Sequence, residues 1–483
     1  MALHGLNRRR FSDTLDPGTD RRHGRQARGE RMSEITTSQA ALLRQPWYAG
    51  LQPMHWRILA ASFMGWIFDG FESFALFLVL PVMLRSLLAP DQVAATPFWA
   101  GIAIGGTLLG WGLGGLVGGV MADYVGRKRM MLWSVFLYAV FTGFTALATG
   151  FWMMLGLRFL TGIAMGSEWS TGIALLAETW PERARPVGCR LPQSGFGWGT
   201  FLAAAVWLVL SAWSPLGGET WRLMFVVGAL PAVFVLYIRR NVGESEKWLT
   251  AIREQRWNAT EGVSAHDVAA RGGKRPFTLT EIFREPESRR RVLLMFLMSL
   301  ATTVGWWAVA NLLDRYTTGM ARAQGYASPE AWGNWASLIY TTGAVVAYLL
   351  SGFLMQSWGR RAYLLFAYAG SLVMVPVTYL WMHTPEALLA SAFVNGFFTL
   401  GCAYSWMAIY PSELFTSSVR STAASFIFNA TRLIACLFPV LAGVMIPFFG
   451  GIPRMAVILG SIYVLGLVVP WFLPETKGRP LPE

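Results

Sequence analysis

What most constrains this chain is a succession of long apolar runs separated by short basic loops. A helix needs about 20 mostly apolar residues to cross a hydrocarbon layer about 30 Å thick, because each residue rises only about 1.5 Å. Twelve runs meet that demand, at 58–84, 98–121, 130–149, 151–177, 187–212, 221–238, 292–313, 334–356, 362–382, 387–409, 422–446 and 454–473. They are continuous rather than alternating, which excludes a strand barrel. Charged residues are 14% of the 483, against about 25% in soluble domains, so a water-soluble fold would lack a coat for this much apolar surface. Disorder fails for the same reason, since disordered chains are poor in apolar residues. The chain reads as an all-α polytopic membrane protein with twelve transmembrane helices.

The net charge of +13 suggests nucleic acid until its distribution is followed. A nucleic-acid surface gathers its charge on one folded face, whereas here the charges lie between the apolar runs. The tail 1–57 holds ten arginines and the loop 239–291 twelve Lys or Arg. Short loops on the same side add Arg127, Lys128, Arg129, Arg183, Arg185, Arg360, Arg361 and Arg420, while Arg85, Arg222, Arg315, Arg322 and Arg454 fall on the other side. Basic loops stay inside, so both termini are expected in the cytoplasm and the protein in the cell membrane. Expected parts are a disordered basic tail (1–55) free to touch anionic lipid, a six-helix bundle (56–238), a linker loop (239–291), a second bundle (292–473) and a short tail (474–483).

Three patterns recur at nearly one offset. Gly119-x3-Asp123-x2-Gly126-Arg127-Lys128 returns as Gly352-x3-Gln356-x2-Gly359-Arg360-Arg361, 233 positions on. Glu178-x6-Arg185 returns as Glu413-x6-Arg420 after 235, and Gly243-Glu244-Ser245 as Pro474-Glu475-Thr476 after 231. A constant spacing means two six-helix halves, and each half, crossing an even number of times, runs parallel to the other. Internal duplication of this kind characterises secondary transporters.

With these motifs the sequence resembles the major facilitator superfamily over residues 55–480. GGVMADYVGRKR (118–129) is similar to the family's loop between helices 2 and 3, and RFLTGIAMGSEWSTGIALLAETWPERAR (158–185) resembles helix 4 and its loop in sugar porters and metabolite–proton symporters. GESEKWL (243–249) and PETKGR (474–479) resemble the sugar-porter signatures, and SELFTSSVRSTA (412–423) a loop of organic-ion and acid symporters. The resemblance implies two pseudo-symmetric six-helix bundles that work as a monomer, and loop charges that latch the cytoplasmic face in one state. Asp123, Arg127, Arg129, Glu178 and Arg185 would form the N-half latch, with Glu244 beside them. Arg360, Arg361, Glu413 and Arg420 would form the C-half latch, with Glu475. Gly119, Gly126 and Gly359 would give tight turns and close approach. The alternative is a set of static surface pairs. Gln356 stands where the first half has an acid, which weakens the second latch.

An ionisable side chain at mid-bilayer costs about 2.5–3.5 kcal/mol or more, so each needs a reason. Asp69 is roughly 16 Å into the first run, with Glu72 on the same face. Arg432 lies at similar depth in the eleventh run. Arg158 sits in the fourth run, with Glu168 further along it, and Arg190 near the start of the fifth. A midplane acid can load and release protons, which makes Asp69 the expected proton carrier and Glu72 a coupled second site. Asp69-Gly70-Phe71-Glu72 resembles the first helix of aromatic-acid–proton symporters. The alternative is that Asp69 only pairs with an arginine. Arginine offers a fork to a carboxylate, so Arg432 and then Arg158 are expected at an anionic substrate group, or else as ion-pair partners of Asp69, Glu72 or Glu168. Trp66, Phe71, Trp306, Trp307, Tyr404 and Trp406 can wall the cavity, and Gln193, Asn311 and Asn395 can hydrogen-bond a ligand.

Gly110-x-Gly112-x-x-Gly115 fits a dinucleotide pattern, but inside an apolar helix it signals packing. Asn258-Ala-Thr260 falls in a loop expected in the cytoplasm. Five histidines and three cysteines form no metal spacing, and no catalytic or nucleotide motif appears, so no cofactor, metal or enzymatic activity is expected. The expected function is proton-coupled uptake of a small organic anion: a monocarboxylate, an aromatic acid or an acidic sugar. Runners-up are a proton–sugar or polyol symporter, disfavoured by the poorly polar LMSLATTVGWWAVAN of run seven, then an exporter, and a non-transporting membrane sensor.

Overall fold

A computed structural model describes residues 47–182, 184–254, 277–479 and 481–482, with the side chains of 186 and 311 left out. Residues 1–46, most of the expected disordered tail, lie outside the described residues, as do 255–276 with the Asn258 sequon. The chain divides into Met1–Gly50 and Leu51–Glu483; of the first, only a turn at 47–50 is described.

Among the described residues the structure is helical, with no strand. The apolar runs become Pro53–Leu87, Thr96–Val125, Arg127–Thr145, Phe151–Met165 with Glu168–Thr179, Arg185–Trp213 and Trp221–Gly228 with Pro231–Asn241 in the first half. The second half holds Pro286–Ala323, Pro329–Trp358, Arg360–Trp381, Pro385–Leu414, Arg420–Ala435 with Leu437–Phe448, and Ile452–Phe472. They are called spans one to twelve. Nine of these are long and apolar enough to cross a membrane, and ten if the eleventh, bent by 42°, counts as one. The other two are explained by their polar content: span three begins on Arg127-Lys128-Arg129, and span four is interrupted between Met165 and Glu168.

With little hydrophobic drive between helices in lipid, close packing rests on small residues. A Cβ on Gly110 would strike the Phe159 carbonyl of span four, and one on Gly343 the Phe393 carbonyl of span ten. In return, Gly162 faces the Thr107 carbonyl and Gly396 the Tyr340 carbonyl. Each member of these pairs lies 233 or 234 positions from its counterpart, so the duplication extends from the loops into the helix packing. Gly112 and Gly115 likewise admit Leu433 and Asn429 of span eleven, which makes the dinucleotide-like pattern a packing surface.

The halves meet along two seams, span two against span eleven and span five against span eight. At the end opposite the basic loops they part around a cavity of about 1050 Å³, lined among others by Leu84, Ile104, Trp207, Trp307 and Phe438. Beneath its floor a chamber of about 50 Å³ lies between Ser73, Phe196, Thr200, Trp306 and Tyr340. At the basic end the halves are joined through the buried pair of Glu178 with Arg420.

A methyl group on Gly343 must displace backbone, and overpacking of this kind costs about 1–3 kcal/mol. Gly343→Ala is therefore expected to lower the unfolding temperature in detergent, while Gly443→Ala, where no atom lies within 4 Å, leaves it in place. Equal melting curves for the two variants would refute the packing account.

Candidate functional site

Charges at the basic end are placed by helix starts. Gly126, at φ +104°, joins spans two and three, and its missing Cβ makes room for the Glu244 carboxylate. That carboxylate accepts the N–H of Arg127 at 3.0 Å and of Lys128 at 3.2 Å, at the positive end of the span-three helix. Gly359, at φ +90°, does the same for Glu475, which accepts from Arg360 at 2.9 Å and Arg361 at 3.0 Å. Burial pushes the Glu475 carboxyl up, but N–H donation from Arg360, Arg361 and Lys477 outweighs it and holds the group below its ordinary value, charged at neutral pH. The recurring GES and PET loops are thus carboxylate caps.

Across the span two–eleven seam lies a buried network. Arg127 reaches Asp123 at 3.1 Å, Glu178 at 3.0 Å and the Ser417 carbonyl of the other half at 2.8 Å. Glu178 Oε1 also accepts Arg420 of the other half at 3.1 Å, and Asp123 accepts the Thr422 N–H at 2.9 Å. Trp248 donates to the Asp123 carbonyl at 2.7 Å. Expected among the C-half latch residues, Arg420 binds Glu178 of the other half across the seam. Glu413 takes two N–H groups of Arg360 and the Thr476 hydroxyl within its own half. Arg361 donates to the Leu473 carbonyl. Arg185 is buried, within electrostatic reach of Glu182 and Glu413, whereas Arg129 is exposed. Gly119 packs on Ser425 of span eleven.

At the span five–eight seam the acid is missing, and Gln356 is exposed. Arg190 fills the role from the other side. It is buried, donates to the Leu349 carbonyl and lies 3.6 Å over the Phe353 ring. The sequence carries no mark of this contact, since an arginine near a helix start can equally extend to the membrane surface.

In the middle of the first half, Arg158 pairs with Glu72. Three hydroxyls complete its shell, Thr145 and Thr161 at 3.0 Å and Thr142 at 3.3 Å, and Phe225 lies 4.8 Å beneath it. Both side chains are thereby committed to each other in this conformation. Phe71 packs near Gly228 of span six, away from the seam. Asn395 is held by Thr378 and Thr399 inside the second half. Asn311 lies in the turn that breaks span seven, and its side chain is outside the described residues.

Asp69 is fully buried. No N–H or hydroxyl among the described residues donates to it, and its neighbours are Glu168, Glu72 and, further off, Arg432. It lies one helical turn, about 6 Å, below Ser73 of the chamber. Around the seam stands an aromatic cluster drawn from both halves. Trp66 lies 5.4 Å from Phe196, 6.0 Å from Phe428, 6.2 Å from Trp169 and 6.3 Å from Trp111. Trp169 stacks on Phe428 at 3.8 Å, and Tyr404 stands 6.5 Å from both Phe428 and Trp306. Trp169 donates to Gln193, whose amide reaches the Tyr404 carbonyl at 3.5 Å.

Arg432 enters this cluster between Trp111 (4.5 Å) and Phe428 (3.9 Å). One nitrogen donates to the Phe428 carbonyl and the Asn429 side chain, Nε has no partner, and among the described residues no carboxylate is in salt-bridge distance. Trp66, Gln193, Trp306, Tyr404 and Arg432 are brought together; Arg158, Phe71 and Asn395 lie elsewhere. Sequence reading missed Trp111, Trp169, Phe196 and Phe428, because an aromatic residue in an apolar helix carries no mark of which way it faces.

Cutting the seam network is expected to open the basic end. Cys189, buried near Arg185 and Arg420, reports it. With Cys402 and Cys436 replaced, Arg420→Ala should raise maleimide labelling of Cys189 severalfold, and unchanged labelling would mean static pairs.

A family described as sugar (and other) transporters matches residues 58–483. The inner membrane metabolite transport protein YgcS of Escherichia coli K12 is 28% identical, over 89% of this chain and 94% of its own. The E. coli sialic acid transporter NanX is 24% identical over 89% and 96%, and the cis,cis-muconate transport protein of Acinetobacter baylyi 24% over 88% and 96%. The solved proton:xylose symporter XylE superposes with a TM-score of 0.69 at 18% identity, over 89% of this chain and 98% of that one, a likeness of fold. The chain belongs to the sugar (and other) transporter family of the major facilitator superfamily, and is a multi-pass secondary transporter, not an enzyme.

Proposed function

We propose that the protein imports a small carboxylate with a flat, unsaturated or aromatic body, together with protons, across the cell membrane by alternating access. One observation carries this: Arg432 is a buried guanidinium without a carboxylate in salt-bridge distance among the described residues, set in aromatic rings at the seam of the halves. A substrate carboxylate supplies the missing charge through a two-pronged bond, and the rings take its body. Two relatives bearing the names of acids, sialic acid and muconate, support the same class.

Protons enter through Asp69. While Asp69 is ionised, its charge faces Arg432 and competes with an arriving anion. Protonation removes the competitor, so anion and proton load together. Basic loops support an inside position for the end joined by the network, with the 1050 Å³ cavity facing outward. In the opposite state the Asp123–Arg127–Glu178–Arg420 network parts and the site opens inward.

Uptake into proteoliposomes under an imposed pH gradient tests the scheme. Aromatic and dienoic carboxylates should accumulate, and hexoses should not. Asp69→Asn is expected to abolish uphill accumulation, with exchange still measurable. Arg432→Lys, which loses the fork, should raise KM about ten- to hundredfold, the equivalent of about 1.5–3 kcal/mol. Hexose accumulation, or an Asp69→Asn protein that still concentrates its substrate, would overturn the proposal.

A further inference from the structure

We infer that Glu168 is the second half of the proton site, and that Asp69 and Glu168 hold one proton between them in a notch made by Gly65. This rests on the proton-coupled scheme above and adds a residue to it. Glu168 is 1% exposed and begins the second segment of span four, just past the break after Met165. Its carboxyl reaches across to span one, where Gly65 lies one turn from Asp69 on the same face. A Cβ on Gly65 would fall on the Glu168 Oε1 atom, so any larger residue has to move the carboxyl from there. The two carboxyls then stand within hydrogen-bonding reach of each other.

None of their four oxygens receives an N–H or hydroxyl from the described residues. Other charged or titratable groups facing the pair offer no relief. Glu72 on the same helix is bound to Arg158, the Tyr138 hydroxyl of span three makes no hydrogen bond, and Arg432 of span eleven stands only within electrostatic reach. Two touching carboxylates cannot both stay ionised without a counter-ion in contact. A single proton between them turns repulsion into an acid–carboxylate hydrogen bond and leaves one negative charge opposite Arg432. A second proton, taken from water on the outward side, brings the pair to neutrality and frees Arg432 for the anion. Released on the inward side, it restores the shared state. The pair cycles between one charge and none, which fixes the coupling at one proton per turnover.

Infrared difference spectroscopy of the purified transporter, with transport in parallel, tests this. The wild type should show the C=O band of one protonated carboxyl at neutral pH before substrate is added. Asp69→Asn and Glu168→Gln should each remove or shift that band. Gly65→Ala, which keeps both acids but closes the notch, should shift it too. A one-unit pH gradient drives about tenfold accumulation per proton, and all three variants should fall toward equal concentrations on both sides. A band that ignores Glu168→Gln and Gly65→Ala, or Glu168→Gln vesicles that accumulate like wild type while Asp69→Asn vesicles do not, would remove Glu168 and leave the proton-coupled scheme standing. Accumulation surviving Asp69→Asn would instead bring down the scheme itself.

Discussion

An ionised side chain that leaves water has to find its counter-charge inside the protein, and this requirement arranges the molecule both at its basic end and at its centre. At the basic end the demand is met across the seam, because Glu178 of one half receives Arg127 of its own half and Arg420 of the other. Neither half can satisfy these groups alone in this geometry. At the centre it is met within one half for Glu72 and Arg158, and left open for Arg432, which has rings around it and, among the described residues, no acid against it. A buried pair adds little net stability. A network whose partners sit on both halves is therefore better suited, on the proposed alternating access, to defining a state than to strengthening a fold.

The two seams solve the same problem with different chemistry. Between spans two and eleven, Asp123 takes an N–H at the start of span eleven. Between spans five and eight the matching acid is replaced by Gln356, which faces out, and Arg190 reaches from span five to the Leu349 carbonyl and the Phe353 ring. The Ser425 hydroxyl, 235 positions on from Arg190, meets the Gly115 carbonyl of span two in the matching place. A cation on a ring and a carbonyl depends less on exact geometry than a carboxylate on a helix start does. The span two–eleven seam is accordingly the more specific of the two.

The spans, the duplication and the charged loops were legible in the sequence because each is written locally. Apolar length, a glycine before two basic residues, and a carboxylate after an even-numbered helix all lie within a few neighbouring positions. Partner choice was not legible, because it is decided by helix rotation and depth. Glu72 stands at i+3 from Asp69 and was expected to share its proton, yet one turn of span four offers it Arg158 and another offers Asp69 a carboxyl, Glu168. Gly65 carried no signal among 50 glycines, since its meaning lies in what approaches it from span four. Spans three and four fall short of an apolar span because of their polar residues: the first begins on Arg127-Lys128-Arg129, and the second breaks just before Glu168.

On the proposed reading, a guanidinium set among tryptophan and phenylalanine rings also governs what the centre distinguishes. Rings bound the sides of Arg432, so a ligand has to approach with its carboxylate in the plane of the fork and its body between the rings. A planar conjugated acid meets both conditions. A neutral sugar brings hydroxyls that can stack on a ring but leaves the cation uncompensated in a medium of low polarity. On the proposed reading, the cost of an unmatched charge, more than any single favourable contact, is what turns the site toward anions.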